Sequence, residues 1–349
     1  MSIAITGIGI VSPAGLNPRA TVDGLASGEA IQPDNSGRSL NTSCFARAPE
    51  FQLEPRLRFP KSIKFMNRSV QLAMWAALDA MEASGLTLTE RDRSRVAIHT
   101  AGGETGLENE EFFPALSVAW KENEPDLKYL GVREARLIDP YFSLRTLANA
   151  GSGLIAMELG LHGTSCHFIH GEAAGAQALE AACQDLADRR CDVALAGAYD
   201  CLGATAAYLA YDAAGWARPA WEFLLGEGAA FVILERMEDA EARGAQISGR
   251  IMAVNCHTSG FGPVSDAVDF IVARGICENE RHPGGAAPTV SFKKGTGYLG
   301  AATALVELTA GLALAASGRL VPAVRNPKGL FLTESWCGAT GAITAQALG

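Results

Sequence analysis

The chain has no CxxC pair, no Cys/His spacing suited to a metal, and no apolar run long enough to cross a membrane. Its eight cysteines are scattered, so neither a disulfide framework nor a metal site is expected, and the thiols read as reduced, in a cytoplasmic protein. Basic runs are missing too. The net charge is −9, and nothing points to nucleic acid as a partner. The opening MSIAITGIGIVSPAG lacks the charged region of a signal peptide and reads as a strand and turn. Neither GxGxxG nor GxxxxGK[ST] stands between a strand and a helix, so no nucleotide cofactor is expected. Aromatic residues make up only 7%.

What the chain does have is small residues and a large apolar fraction. Hydrophobic residues reach 48% of 349, and glycine alone accounts for 38 positions. Such a composition suits helices packed closely on covered sheets. The periodicity predicts strands over 2–11, 94–100, 165–169, 191–198, 229–235, 250–255 and 289–292, with final segments near 330–335 and 341–348. Between them it predicts helices over 18–28, 66–84 with Gly85 as C-cap, 107–121, 140–160, 172–188, 236–244 and 301–317. This alternation argues an α/β fold. No short-period repeat and no linker is visible, so residues 1–245 and 246–349 are expected to form two halves of one body. One cluster of basic residues stands out, Arg56, Arg58, Lys61, Lys64 and Arg68, and reads first as a solvated helix start.

Six segments in order resemble the β-ketoacyl synthase family: ITGIGIVSPAG, residues 139–163, HGEAAGAQALEAA, CDVALAGAYD, LGEGAAFVILERMEDAEARGA and residues 292–324. The resemblance implies a thiolase-like, duplicated α-β-α-β-α five-layered sandwich and a dimer. It also implies a cysteine nucleophile at a strand-to-helix elbow, where a helix N-terminus steadies the thiolate. Aligning Gly175–Ala178 on the family pattern puts Glu172 at that position. Carboxylate attack on a thioester gives a high-energy mixed anhydride, so Glu172 reads either as a degenerate nucleophile or as a capping carboxylate. Cys166 is expected to pack in the core, and Cys183 lies too far into the helix. The family's first histidine motif is missing, His257 being a superficial match only, and Tyr298 stands where the second histidine belongs. Lys293 keeps the family spacing, with Lys294 beside it. His170 is a possible neighbour of Glu172, whereas His99, His162, His167 and His282 have no partner visible in the sequence.

Lost chemistry on a kept scaffold is what the resemblance implies for a subunit similar to a chain length factor. Such a subunit pairs with an active ketosynthase as a heterodimer and limits an acyl tunnel serving an acyl carrier protein and its phosphopantetheine arm. Phe112, Phe113, Tyr141, Phe142 and Leu144 are the candidates for tunnel or interface, with ordinary packing as the alternative for each. A second reading gives Glu172 an altered chemistry, such as decarboxylation of a malonyl thioester, or acyl transfer or hydrolysis. A third is a scaffold protein unrelated to acyl chains.

Overall fold

The computed structural model describes residues 2–29, 31–32, 45–102, 109–121, 123–169, 171–203, 213, 224–261, 267–273, 287–334 and 339–348, with backbone alone for 109–113. Ten strands lie hydrogen-bonded in one row. The first five are β1 (Ile3–Val11), β2 (Val96–Gly102), β3 (Ser165–Phe168), β4 (Val193–Cys201) and β5 (Leu225–Arg236). The second five are β6 (Gly249–His257), β7 (Phe270–Val272), β8 (Thr289–Val290), β9 (Lys328–Glu334) and β10 (Thr340–Ala347). The row runs β3-β2-β4-β5-β1, then β6-β10-β9-β7-β8. In each set the first three strands from the outer edge are parallel and the next two antiparallel. The order therefore reads alike from either edge, and the duplication invisible in the sequence is present in the pairing. The sets meet only where Ile3–Ile5 pair with Gly249–Ile251.

Helices fill the faces. α1 spans Pro18–Ala26, α2 Arg68–Ser84, α3 Ala150–Leu159, α4 Glu172–Ala187 and α5 Thr303–Ala316. α2 is capped by the Asn67 side chain, which accepts from Val70 N–H, and is closed by Gly85 at φ 62°, as predicted. It lies directly on β1. A Cβ on Gly9 would come within 1.9 Å of the Ala76 carbonyl oxygen, so only glycine allows that approach. α4 and α5 form the central layer, α4 packing on β2 and β4 on one side and β6 and β10 on the other. Glycine and alanine set that spacing, with Gly175 seated against Ala301 and Ala304.

Every residue of β1, β2 and β5 except Ile8 is buried, because helices pack on both faces of these three strands. The far face of the second set carries a small cluster of Ile271, Ala273, Leu330, Leu332 and Ala342. Among the described residues Phe261, Val268 and Ala287 pack on it, loop side chains standing where a helix would make the outermost layer.

Three expectations needed correction. The helix expected over 140–160 is broken into Phe142–Arg145 and α3, and Gly160 rather than Gly163 closes it, at φ 65°. β7 was not foreseen, since three residues carry almost no period. Cys166 is not in the core. It is exposed on β3, the sheet's outer edge.

Candidate functional site

The two sets place equivalent turns face to face. β3 leads into α4 through one, and β8 leads toward α5 through the other. The first turn is a sharp elbow, with Gly171 at φ 56° and ψ −141°, a backbone conformation natural only to glycine. Glu172 follows as the first residue of α4 and is completely buried. The second turn holds Lys293, which is 2% exposed, while Lys294 faces solvent.

Lys293 Nζ lies 3.4 Å from Glu172 Oε1 and 3.4 Å from Glu307 Oε1. Glu172 Oε2 also accepts the backbone N–H of Glu334 at 3.4 Å. One ammonium thus sits between two carboxylates inside the central layer. Glu307, in the second turn of α5, was not foreseen. Burial pushes its carboxyl up to about 7, against the pull of the Lys293 ammonium and with the help of the Glu172 charge. The signal for it was in the sequence: it is the only charged residue in TALVELTAGLALAA.

Among the described residues this arrangement pairs one buried cation with two buried acids. The Glu172 carboxylate is paired to a cation and stands at the positive end of a 16-residue helix. Burial pushes the Cys183 thiol up to about 12, so at neutral pH it is not a thiolate. Tyr298 is fully buried at the expected histidine position, its backbone N–H donating to the Leu224 carbonyl at 2.6 Å. His170, Phe112 and Phe113 fall outside the described residues or side chains. No histidine occurs between His257, exposed at the end of β6, and His282.

Two histidines do have partners. His99 Nε2 is 3.0 Å from Asp185, and His167 bridges the Thr100 hydroxyl at 2.8 Å and the Gly102 carbonyl at 2.6 Å. Burial, outweighing those partners, lowers the pKa of both.

The basic cluster divides. Arg56 is paired to Asp79 and Glu82. Arg68 turns inward onto Glu227, whose carboxylate also accepts from the Ala48 N–H and the Cys201 thiol. Arg58, Lys61 and Lys64 remain outward, the lysines on the 3₁₀ turn Pro60–Phe65 and Arg58 on the bend before it, instead of on a helix start.

Tyr141 and Phe142 are half-buried and Leu144 is 45% exposed, so this segment forms a surface. Nine of the eleven exposed large apolar side chains among the described residues lie between 118 and 169, Trp120, Leu127, Leu147, Met157 and Ile169 among them. A cleft of about 410 Å³ opens at the other end of the strands, lined by Arg95, Asp192, Glu235, Arg236 and Arg243. Ion pairs among these residues fill its charge requirement, and it is remote from Glu172.

Residues 1–240 match the family model for the β-ketoacyl synthase N-terminal domain. The chain belongs to the β-ketoacyl synthase family. It is 28% identical over 284 residues to the 3-oxoacyl-[acyl-carrier-protein] synthase 2 of Coxiella burnetii (strain RSA 493 / Nine Mile phase I). That match covers 76% of this chain and 63% of the relative, so the chain spans less than two thirds of that protein's length. Among solved structures it matches the ishigamide ketosynthase/chain length factor with a TM-score of 0.75 at 18% identity over 100% of both chains. It also matches a chain of AntDE:AntF, a type II PKS acyl-carrier protein in complex with its ketosynthase, with a TM-score of 0.76 at 17% identity over 99% of each. At those identities the likeness speaks to the fold, which is the thiolase-like α/β fold of ketosynthases.

Proposed function

We propose that this chain is a non-condensing ketosynthase-type subunit, of the chain length factor kind, that pairs with an active β-ketoacyl synthase in polyketide, polyene or fatty-acid-like synthesis on an acyl carrier protein. The observation that carries this is the buried Glu172–Lys293 pair at the elbow. A carboxylate stands where the thiolate is needed, Tyr298 stands for the histidine, and the retained lysine is engaged by two acids. Among the described residues no group there both attacks a thioester and steadies the resulting oxyanion. The concentration of exposed apolar side chains between 118 and 169 supports the partner half of the reading, because apolar side chains gathered on a surface mark association sites. Tyr141, Phe142 and Leu144 sit on the partner-facing side of this scheme, as tunnel-shaping residues. Arg58, Lys61 and Lys64 are the basic group an acidic carrier would meet on a chain of net charge −9. The paired five-strand sets support reading residues 1–245 and 246–349 as two halves of one body.

The test is co-expression with candidate ketosynthases, read by size-exclusion chromatography and native mass spectrometry. A one-to-one complex whose activity needs both chains and survives Glu172→Ala is the expected result. A homodimer that alone turns over malonyl- or acyl-carrier thioesters, and loses this on Glu172→Ala, gives Glu172 the altered chemistry instead.

A further inference from the structure

The turn that carries the outward basic residues hangs on the segment that carries the exposed apolar ones. Glu158, on the inner side of α3, is 6% exposed. Its carboxylate accepts the backbone N–H of Arg58 and that of Phe59, the latter at 3.3 Å. Arg145 is 9% exposed, donates to the Lys64 carbonyl at 2.9 Å and pairs with Asp139 at 3.2 Å. The Arg145 carbonyl accepts from Asn67 Nδ2 at 3.0 Å, and the Tyr141 hydroxyl accepts from Lys64 Nζ at 3.2 Å. Residues 58–67 are thus fastened at several points to residues 141–158, by bonds of which most involve a charged group and are therefore strong.

The outward neighbours of these fasteners are apolar. Leu144 and Leu147 flank Arg145, and Met157 precedes Glu158, at 45%, 54% and 45% exposed. One side of each element holds the basic turn, and the other side is bare. A subunit seated on the bare side presses on the elements that set the position of the Arg58–Lys64 backbone.

We propose that Glu158 and Arg145 are positioning residues that couple the two surfaces, so that capture of a partner subunit raises the affinity of the Arg58–Lys64 turn for an acidic carrier protein. This rests on the reading above that the exposed apolar side chains take a ketosynthase subunit and the basic turn takes the carrier. Linkage makes the coupling reciprocal: the carrier tightens the subunit pair by the same factor.

The test titrates fluorescently labelled acyl carrier protein into the full chain, alone and as the co-purified complex, by anisotropy at fixed salt. The complex is expected to bind about fivefold more tightly than the free chain, the low end of usual couplings. Glu158→Ala and Arg145→Gln bring that ratio toward one, while Glu158→Gln, which keeps one accepting oxygen, restores part of it. Tyr141→Phe, a half-buried change that leaves the fold intact, gives a smaller loss in the same direction. Arg58→Glu with Lys61→Glu, at side chains that make none of these bonds, weakens binding in both states and leaves the ratio standing. If these charge reversals weaken binding but Glu158→Ala, Arg145→Gln and Tyr141→Phe all preserve the ratio, the coupling is wrong and the docking reading stands. If the charge reversals change nothing, the docking reading fails. If no ketosynthase is captured at all, the proposed function fails and takes the coupling with it.

Discussion

The buried acids around Lys293 and the exposed apolar side chains between 118 and 169 depart from ordinary protein practice in opposite directions. One hides charge where hydrocarbon belongs, and the other shows hydrocarbon where charge belongs. Hidden charge is tolerable because each member is paired, yet such a pair contributes little net stability. Exposed hydrocarbon is a standing invitation to a partner. Under the proposed function the contrast separates two things an active ketosynthase keeps together, a reaction site and an assembly surface. The acids around Lys293 are held by their own salt bridges, and the apolar side chains are bare.

The largest effect should come from breaking the hidden side. Lys293→Met leaves Glu172 and Glu307 buried without their cation, and removing one partner of a buried pair costs about 3–5 kcal/mol. Urea unfolding should show this as a lowered midpoint with an unchanged slope. A cost below about 1 kcal/mol would mean that solvent reaches the cluster.

Next comes pH. The Glu307 carboxyl is raised from 4.5 to about 7, so the native state binds a proton that the unfolded chain releases earlier. Its contribution is fully present below about pH 4.5 and is lost as pH rises to about 7. At about 1.4 kcal/mol per decade this window is worth about 3 kcal/mol. Glu307→Gln should flatten the fall of stability between those limits, measured as urea midpoints against pH. An unchanged slope would assign the fall to other groups.

The open side is tested by Leu147→Asp, which puts a charge on one of the most exposed of these apolar side chains. If they form the association surface, affinity for the partner subunit should drop by about 2 kcal/mol, roughly 30-fold, without a change in thermal midpoint. Loss of the fold together with the affinity would make Leu147 a packing residue.

The smallest effect is a footprint. Cys166 is exposed on the edge strand, while burial pushes the Cys183 and Cys191 thiols up to about 12 and about 11. A maleimide should label Cys166 before those two and should be slowed there by the partner, as read by peptide mass mapping. Equal labelling with and without the partner would move the interface off β3.

The resemblance, not the residues alone, singled out Glu172, through the alignment of Gly175–Ala178 on the family pattern, and Lys293, through its spacing to Gly297. The structure adds that Gly171 turns the chain at positive φ just before Glu172 and that Gly175 seats α4 against α5. Glu307 was missed although a lone charge in an apolar helix is a strong sign of a buried partner. Cys166 was misplaced because an apolar strand at an edge and one at the centre look alike until the pairing is known. The duplication was expected from the resemblance and not from any repeat in the residues, because it is written in which strand lies beside which, and that is a property of contacts far apart in the chain. The broken helix at 146–149 shows the limit of periodicity, which continued through Thr146–Asn149 where the backbone does not.

Among the described residues the strand row ends in two unequal strands, β3 of four residues and β8 of two. A sheet with two adhesive ends invites endless addition, a hazard that short edge strands avert. Of the two ends described, β3 offers the longer edge for a further strand, and the stub of β8 is where such extension would stop.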